Sequence, residues 1–169
     1  MCNEKRKRWI ENSIDSYQSY LINYAIGFLN SEDLAKDVVQ ESFIKLWSQD
    51  MERIGTNVKS WLFRVCRNRC LDILKKENKN CQLTDSTVMK KVTTNESPDK
   101  ISSKQDELEI VNNLILQMTD KQQEIIKLKF QHQLSYKEIA NILDISTSNV
   151  GVVIHEAILK LKKQTAGLA

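Results

Sequence analysis

The sequence predicts an all-α protein in which two small helical domains are joined by a flexible linker, the second domain containing a helix-turn-helix. Apolar residues recur at helical spacing through most of the 169 residues. Only 4 glycines and 1 proline occur, which are too few for the many tight turns of an all-β fold. The proline, Pro98, lies in a polar stretch that shows no apolar period. We therefore expect domains at 1–80 and 105–169 and a linker at 81–104.

The first domain is predicted to consist of three long helices, at about 10–29, 32–49 and 58–79. Ser31 can cap the second helix by accepting a hydrogen bond from its first turn, and the two acidic residues that follow suit the positive end of the helix dipole. The segment 50–58 contains glycine and asparagine and is predicted to be a loop. The apolar stripe of the second helix comprises Leu34, Val38, Val39, Phe43, Leu46 and Trp47.

The second domain contains two helix-start signals, the second of which opens a helix-turn-helix. The possible capping boxes are Thr119 with Gln122 and Ser135 with Glu138. In the short helix that follows, Ala140 leaves room for a crossing helix, and Asp144 tolerates the left-handed backbone that the turn usually needs. This pattern places the last helix on the surface, where its outer side can enter a major groove. A helical hairpin used only for packing is the alternative.

Charge is distributed unevenly along the chain, whose net charge is +3. Residues 1–81 carry +3 and residues 105–169 carry −1. The predicted third helix concentrates its cations at Arg64, Arg67, Arg69, Lys75, Lys76 and Lys79. Only Asp72 and Glu77 oppose them along that helix. Such a basic stripe can contact nucleic acid, and a solvated helix face is the alternative.

Several classes of protein are disfavoured by the sequence. No apolar run approaches the roughly 18–20 residues of a membrane span, and the basic N-terminus lacks the apolar stretch of a signal peptide. We therefore expect a cytoplasmic protein without membrane insertion. Cys66 and Cys70 lie one helical turn apart with no further ligands nearby, which favours packing over a metal site. The histidines accompany no nucleophile motif and no glycine-rich phosphate loop occurs, so we expect no catalysis, no metal and no cofactor.

Three segments resemble the extracytoplasmic-function (ECF) group of bacterial RNA polymerase sigma factors, which are of the sigma-70 type. DVVQESFIKLW, at 37–47, is similar to the family's polymerase-binding stretch. VKSWLFRVCRNRCLDILKK, at 58–76, looks like the helix that opens and recognises the minus-ten promoter element. The segment 118–163 is similar to the helix-turn-helix domain that recognises the minus-thirty-five element. The resemblance implies core RNA polymerase and promoter DNA as partners, leaves room for an anti-sigma factor, and implies promoter-specific transcription initiation as the function.

The resemblance also implies roles for two groups of residues in the first domain. Asp37, Gln40 and Glu41 share one helix face, and the family makes this face a docking surface for the coiled coil of the largest polymerase subunit. A solvated polar face is the alternative. The second group is suited to bind single-stranded DNA, since it offers an aromatic ring for stacking, cations for phosphates and an amide that can hydrogen-bond a base edge. It comprises Trp61, Arg64, Arg67 and Asn68. A plain core position for the tryptophan is the alternative.

The predicted recognition helix departs from the family pattern, in which cations are common. Gly151 and Glu156 occupy two such positions. Because phosphate neutralisation supplies much of DNA affinity, we expect this domain to bind DNA weakly by itself. The candidate contacts to the minus-thirty-five element are Ser148, Asn149, Val152, His155 and Lys160.

Two other classes of function compete with the sigma factor. A stand-alone helix-turn-helix regulator would bind duplex DNA as a dimer, but it leaves the basic, aromatic helix of the first domain without a role. A helical adaptor would bind protein only. Co-purification with core polymerase separates the sigma factor from the regulator, and promoter-dependent transcription in a purified system excludes the adaptor.

Overall fold

The structure is a computed structural model that describes residues 2–81 and 104–166, and all its regular elements are helical. In chain order they are α1 (Cys2–Leu29), α2 (Glu32–Trp47), α3 (Met51–Ile54), a 3-10 turn (Gly55–Asn57), α4 (Val58–Cys81), α5 (Lys104–Leu116), α6 (Asp120–Phe130), α7 (Tyr136–Leu143) and α8 (Thr147–Ala166). The chain divides into two compact units, unit 1 (Met1–Thr94) and unit 2 (Asn95–Ala169). The predicted all-α fold is confirmed, while residues 82–103 of the predicted linker lie outside the described residues.

Unit 1 is held together by the apolar faces of α1, α2 and α4. The fully buried side chains are Leu21, Ala25, Ala35, Val38, Val39, Leu46, Leu62, Phe63, Cys66 and Cys70. Burying a leucine or phenylalanine contributes about 1.5–3 kcal/mol relative to leaving it exposed, so this core fixes the three helices against one another. The predicted cap of α2 is confirmed, since the backbone N–H of Leu34 donates to Ser31 Oγ at 3.3 Å.

The first helix is longer than its apolar pattern indicates. It begins at Cys2, whereas the prediction placed its start at Ile10. Ile10 is the first buried apolar side chain of the helix, with 6% of its surface exposed. Residues 3–9 continue the helix without adding a buried side chain to the core, so a prediction based on apolar spacing could not detect them.

The segment predicted as a loop between α2 and α4 is partly helical. Asp50 caps α3, because its Oδ1 accepts a hydrogen bond from the backbone N–H of Glu52 at 2.9 Å. Gly55 ends α3 with a φ of +53°, a conformation that glycine adopts without strain. The 3-10 turn then leads directly into α4. The loop prediction is therefore wrong for most of this segment, where an N-terminal cap supports one short helical turn.

The direction of α4 follows from its contacts. Near the end of α1, the ring centroid of Tyr24 lies 5.1 Å from that of Phe63, which is near the start of α4. Further along α4, Arg69 forms an ion pair with Glu41 of α2, and the residues of α2 that follow line a groove with Ile14, in the first half of α1. Helix α4 therefore runs antiparallel to α1. Its C-terminal end lies at the same end of unit 1 as the N-terminus of α1.

Two buried cysteines belong to this core. Cys66 and Cys70 are free thiols on the buried side of α4. A hydrogen bond with Cys70, together with burial, holds the pKa of the Cys66 thiol far above its ordinary value. Such thiols are unreactive in the folded chain. Within 2–81 and 104–166, no group of three or more His, Cys, Asp or Glu is placed to hold a metal ion.

Unit 2 has a separate core and the predicted helix-turn-helix. Both capping boxes are present, at the starts of α6 and α7. Asp144 ends α7 in the left-handed region, with φ 55° and ψ 50°, as predicted. The backbone N–H of Ile145 donates to the carbonyl of Ala140 at 3.1 Å, which closes the turn. The fully buried side chains of this unit are Ile125, Leu128, Leu134, Ile139, Val150 and Ile154.

The turn gives α7 and α8 a mutual bend of 111°, which is within the range of a DNA-binding helix-turn-helix. None of the described helices is by itself long and apolar enough to cross a membrane. Only α7 and α8 taken together, across that bend, meet the length and composition of such a span.

Candidate functional site

The exposed face of α2 contains the predicted docking residues, but they differ in their surroundings. Asp37 and Gln40 are exposed, whereas Glu41 is half-buried. The carboxylate of Glu41 accepts two hydrogen bonds from Arg69 of α4, from Nε at 2.6 Å and from Nη2 at 3.2 Å. This bidentate pair ties α2 to α4. Glu41 therefore supports the packing of the helix that presents the other two residues.

The pair makes the stability of unit 1 depend on pH. The hydrogen bond from Arg69, reinforced by its charge, lowers the pKa of the Glu41 carboxyl from its ordinary value. A carboxyl with a lowered pKa stabilises the fold above its ordinary pKa, and this stabilisation is lost as pH falls through the lowered value. The two side chains are 30% and 44% exposed, so solvent screening keeps the contribution small.

We expect Glu41→Gln to lower the free energy of unfolding by less than about 1 kcal/mol at neutral pH and to have almost no effect in strong acid, where the wild-type carboxyl is also protonated. Urea unfolding of both proteins at the two pH values measures this. Asp37→Asn is the matched control, because Asp37 forms no ion pair within the described ranges. A loss of stability that is the same at both pH values would contradict the role of the ion pair.

An apolar groove continues the α2 face toward the C-terminal end of that helix. Ile44 is 65% exposed and Trp47 is 44% exposed. They line the groove together with Ile10, Ile14, Gln40 and Phe43. The spacing of positions 37, 40, 44 and 47 places all four on one side of a helix. Trp47 and Leu34 belong to the apolar stripe predicted for α2, but both are exposed, and Ile44 was not predicted as a site residue.

The predicted single-strand site lies along α4. Trp61, Arg64 and Asn68 follow one another at i, i+3 and i+7 and so form a row on one face. Arg64 and Asn68 are exposed, and Trp61 is half-buried, which leaves part of its ring accessible. Arg67 flanks the row, is half-buried and makes contacts within the fold. The structure thus brings the aromatic ring, an exposed cation and the amide together on a single surface.

The predicted recognition helix, α8, begins with an exposed polar turn. Ser146 Oγ accepts a hydrogen bond from the backbone N–H of Asn149 at 3.1 Å, which caps the helix. Ser148, Val152 and His155 are exposed at i, i+4 and i+7 and share one face. Val152 is 55% exposed. Lys160 is exposed about three turns beyond Asn149, on the same side of the helix.

The same helix has space for a longer side chain at its glycine. A Cβ added to Gly151 would lie 3.6 Å from Tyr136 Cε2, an ordinary contact distance. Tyr136 also lies under Lys129, whose Nζ is 5.2 Å from the ring centroid. The absence of a cation at position 151 is therefore not imposed by packing.

Comparison with known proteins gives consistent matches over both units. The profile of Sigma-70 region 2 matches residues 14–80, and that of Sigma-70, region 4 matches residues 114–163. RNA polymerase sigma factor YlaC of Bacillus subtilis (strain 168) is 27% identical over 162 residues, which are 94% of this chain and 93% of that protein. ECF RNA polymerase sigma factor SigM of the same strain is 26% identical over 155 residues, covering 90% and 93%.

One solved structure is similar in fold. It is the sigma factor RpoE from Bartonella quintana, determined in complex with the anti-sigma factor NepR. The TM-score is 0.65 at 24% sequence identity, and the match covers 90% of this chain and 94% of that one.

Proposed function

The chain belongs to the extracytoplasmic-function group of sigma-70-type sigma factors, and we propose that its exposed α2 face binds core RNA polymerase while α4 and α8 bind promoter DNA. As a sigma factor it binds core polymerase and directs promoter-specific transcription initiation. The observation that supports this division of roles best is the row of half-buried Trp61 with exposed Arg64 and Asn68, on a unit separate from the helix-turn-helix.

The polymerase-binding surface is proposed to combine a polar and an apolar part. Asp37 and Gln40 supply exposed polar groups, and Ile44 and Trp47 supply apolar area that nothing in the described ranges covers. Protein interfaces commonly have such an apolar centre with a polar rim. Glu41 belongs to this surface and also holds α2 against α4 through Arg69.

Promoter recognition is proposed to use two kinds of contact. On α4, Trp61 stacks with an unpaired base, Arg64 and Arg67 neutralise phosphates, and Asn68 hydrogen-bonds a base edge of the minus-ten element. On α8, the polar and apolar side chains of the N-terminal half face the bases of the minus-thirty-five element. The residues proposed to contact bases are Ser148, Asn149, Val152 and His155, with Lys160 as a phosphate contact.

We further propose that the chain supplies specificity and no catalysis, and that it acts in the cytoplasm, where polymerase and promoter meet. The catalytic step of transcription then belongs to the polymerase. An anti-sigma factor, of the kind bound to the similarly folded RpoE, is included among the partners. By covering the α2 face, such a protein would prevent polymerase binding.

The experiment that tests this function is transcription by purified core polymerase on a promoter and on a scrambled template, with and without the chain. A sigma factor gives transcripts only when the chain and the promoter are both present. A stand-alone regulator would instead bind the promoter without polymerase and would leave transcription by core polymerase alone unchanged.

We expect Asn68→Ala to impair promoter opening more than polymerase binding. An amide that hydrogen-bonds one base contributes on the order of 1–3 kcal/mol of discrimination, by analogy with duplex recognition. Permanganate footprinting measures the open segment, and templates with single substitutions in the minus-ten element measure the base preference. Asn23→Ala is the control, because Asn23 is an exposed helical asparagine of α1, outside the α4 row. Unchanged opening and unchanged base preference would place the base-binding pocket elsewhere.

A further inference from the structure

The first turns of α1 contain four consecutive cations, Lys5 to Arg8. They precede the part of the chain that matches Sigma-70 region 2, which begins at residue 14. Lys5, Lys7 and Arg8 are exposed and Arg6 is half-buried. Within the described ranges, the only ion pair of these four joins Lys7 to Glu11, with Nζ and Oε1 3.9 Å apart and both side chains largely exposed.

This arrangement is electrostatically unfavourable for the isolated chain. Cations near a helix N-terminus oppose the helix dipole, and Lys5 and Arg8, which at i and i+3 are neighbours on the helix surface, repel one another. The structure nevertheless continues α1 through them as a regular helix. A polyanion bound at this end would offset both costs, because it would place negative charge beside the positive helix end.

A second set of cations lies at the same end of unit 1. The antiparallel packing of α4 on α1 brings the C-terminal turns of α4 toward the N-terminus of α1. Lys75, Lys76 and Lys79 are exposed there. On α1 and α4, the carboxylates near this end are Glu4, Asp72 and Glu77, together with Glu11, which pairs with Lys7. Seven cations therefore outnumber the acidic groups, and we call residues 5–8, 75, 76 and 79 the basic end of unit 1.

We propose that the basic end binds the phosphates of the duplex DNA that continues beyond the single-stranded segment held by α4. The proposal rests on the proposed role of α4, since the three lysines of α4 extend the same helix that contains Trp61 and Asn68. DNA that continues from Trp61 and Asn68 toward the C-terminal end of α4 reaches the basic end next. The contacts are to phosphates and carry no sequence preference of their own.

The test is a charge-removal variant, with glutamine replacing Lys5, Arg6, Lys7 and Arg8, assayed as full chain on core polymerase. Glutamine, lysine and arginine have similar helix propensities, so α1 is expected to persist. We expect weaker promoter binding and a shallower salt dependence. The slope of log affinity against log salt changes by about 0.9 for each phosphate that the protein neutralises, and we expect the variant to neutralise about two to four phosphates fewer than wild type. Affinity for core polymerase should stay unchanged.

The matched control exchanges Lys5→Arg, Arg6→Lys, Lys7→Arg and Arg8→Lys, which keeps every charge and should bind like wild type. A second arm uses a promoter fragment cut at the edge of the single-stranded segment. On this fragment the glutamine variant and the wild type should bind equally, because the duplex phosphates are missing.

Three outcomes would overturn the inference: an unchanged salt slope, an equally large weakening on the shortened fragment, or a weaker affinity for polymerase itself. The last would mean that the cations contact an acidic surface of the polymerase instead of DNA. These results are distinct from a failure of the proposed function. In that case the wild-type chain would not support promoter-dependent transcription at all.

Discussion

Replacing both Ile44 and Trp47 by glutamate is expected to weaken the affinity of the chain for core RNA polymerase by about 30-fold or more. The two side chains are 65% and 44% exposed and line an apolar groove beside Gln40. A few central residues of a protein interface, tryptophan prominent among them, cost about 2 kcal/mol or more when they are truncated. Introduced carboxylates would also have to be buried without a partner.

The control is Leu34→Glu, at the other end of the same helix. Leu34 is 38% exposed and does not line the groove, so the substitution should leave polymerase affinity unchanged. Competition between labelled wild-type chain and each variant for core polymerase measures the affinities, and circular dichroism checks the helical content. Equal affinities for all three proteins would mean that the polymerase binds another face of unit 1.

Unit 2 alone is expected to bind the minus-thirty-five duplex weakly, and the full chain on polymerase is expected to bind the promoter about 10²–10⁴-fold more tightly. Residues 95–169 carry a net charge of −1, and phosphate neutralisation supplies much of DNA affinity. Once unit 1 and polymerase hold the promoter, unit 2 meets its site at an effective concentration that can reach the millimolar range. Fluorescence anisotropy of residues 95–169, with helical content checked by circular dichroism, measures the weak state across a salt series.

Gly151→Lys provides the matched variant for this measurement. The space beside Tyr136 admits a side chain at position 151, so the added cation should strengthen binding and steepen the salt slope by about 0.9. Nanomolar, sequence-specific binding by wild-type unit 2 would instead favour a stand-alone regulator.

Local features of the fold were predictable from the sequence because neighbouring residues determine them. Ser31 caps α2, Ser135 with Glu138 forms a capping box, and Asp144 adopts the left-handed conformation. Each of these depends on hydrogen bonds within a few residues. The extension of α1 and the short α3 were missed, because neither adds an apolar period to the sequence.

The candidate site could be predicted only in part. The row on α4 follows directly from helical spacing, and so does the shared face of Asp37 and Gln40. The pairing of Glu41 with Arg69 joins residues 28 positions apart, and only tertiary packing reveals it. Apolar spacing also cannot tell whether a side chain is buried in the fold or left exposed, as Trp47 of the predicted apolar stripe is.

The burial of Cys66 and Cys70 provides a way to measure how often unit 1 opens. Both thiols have no exposed surface, so a thiol reagent can modify them only when α4 separates from the other helices. In a chain with serine at positions 2 and 81, the rate of labelling would therefore report how often the unit opens. Labelling in the presence of core polymerase would show whether docking on α2 slows that opening, without any probe added to the surface.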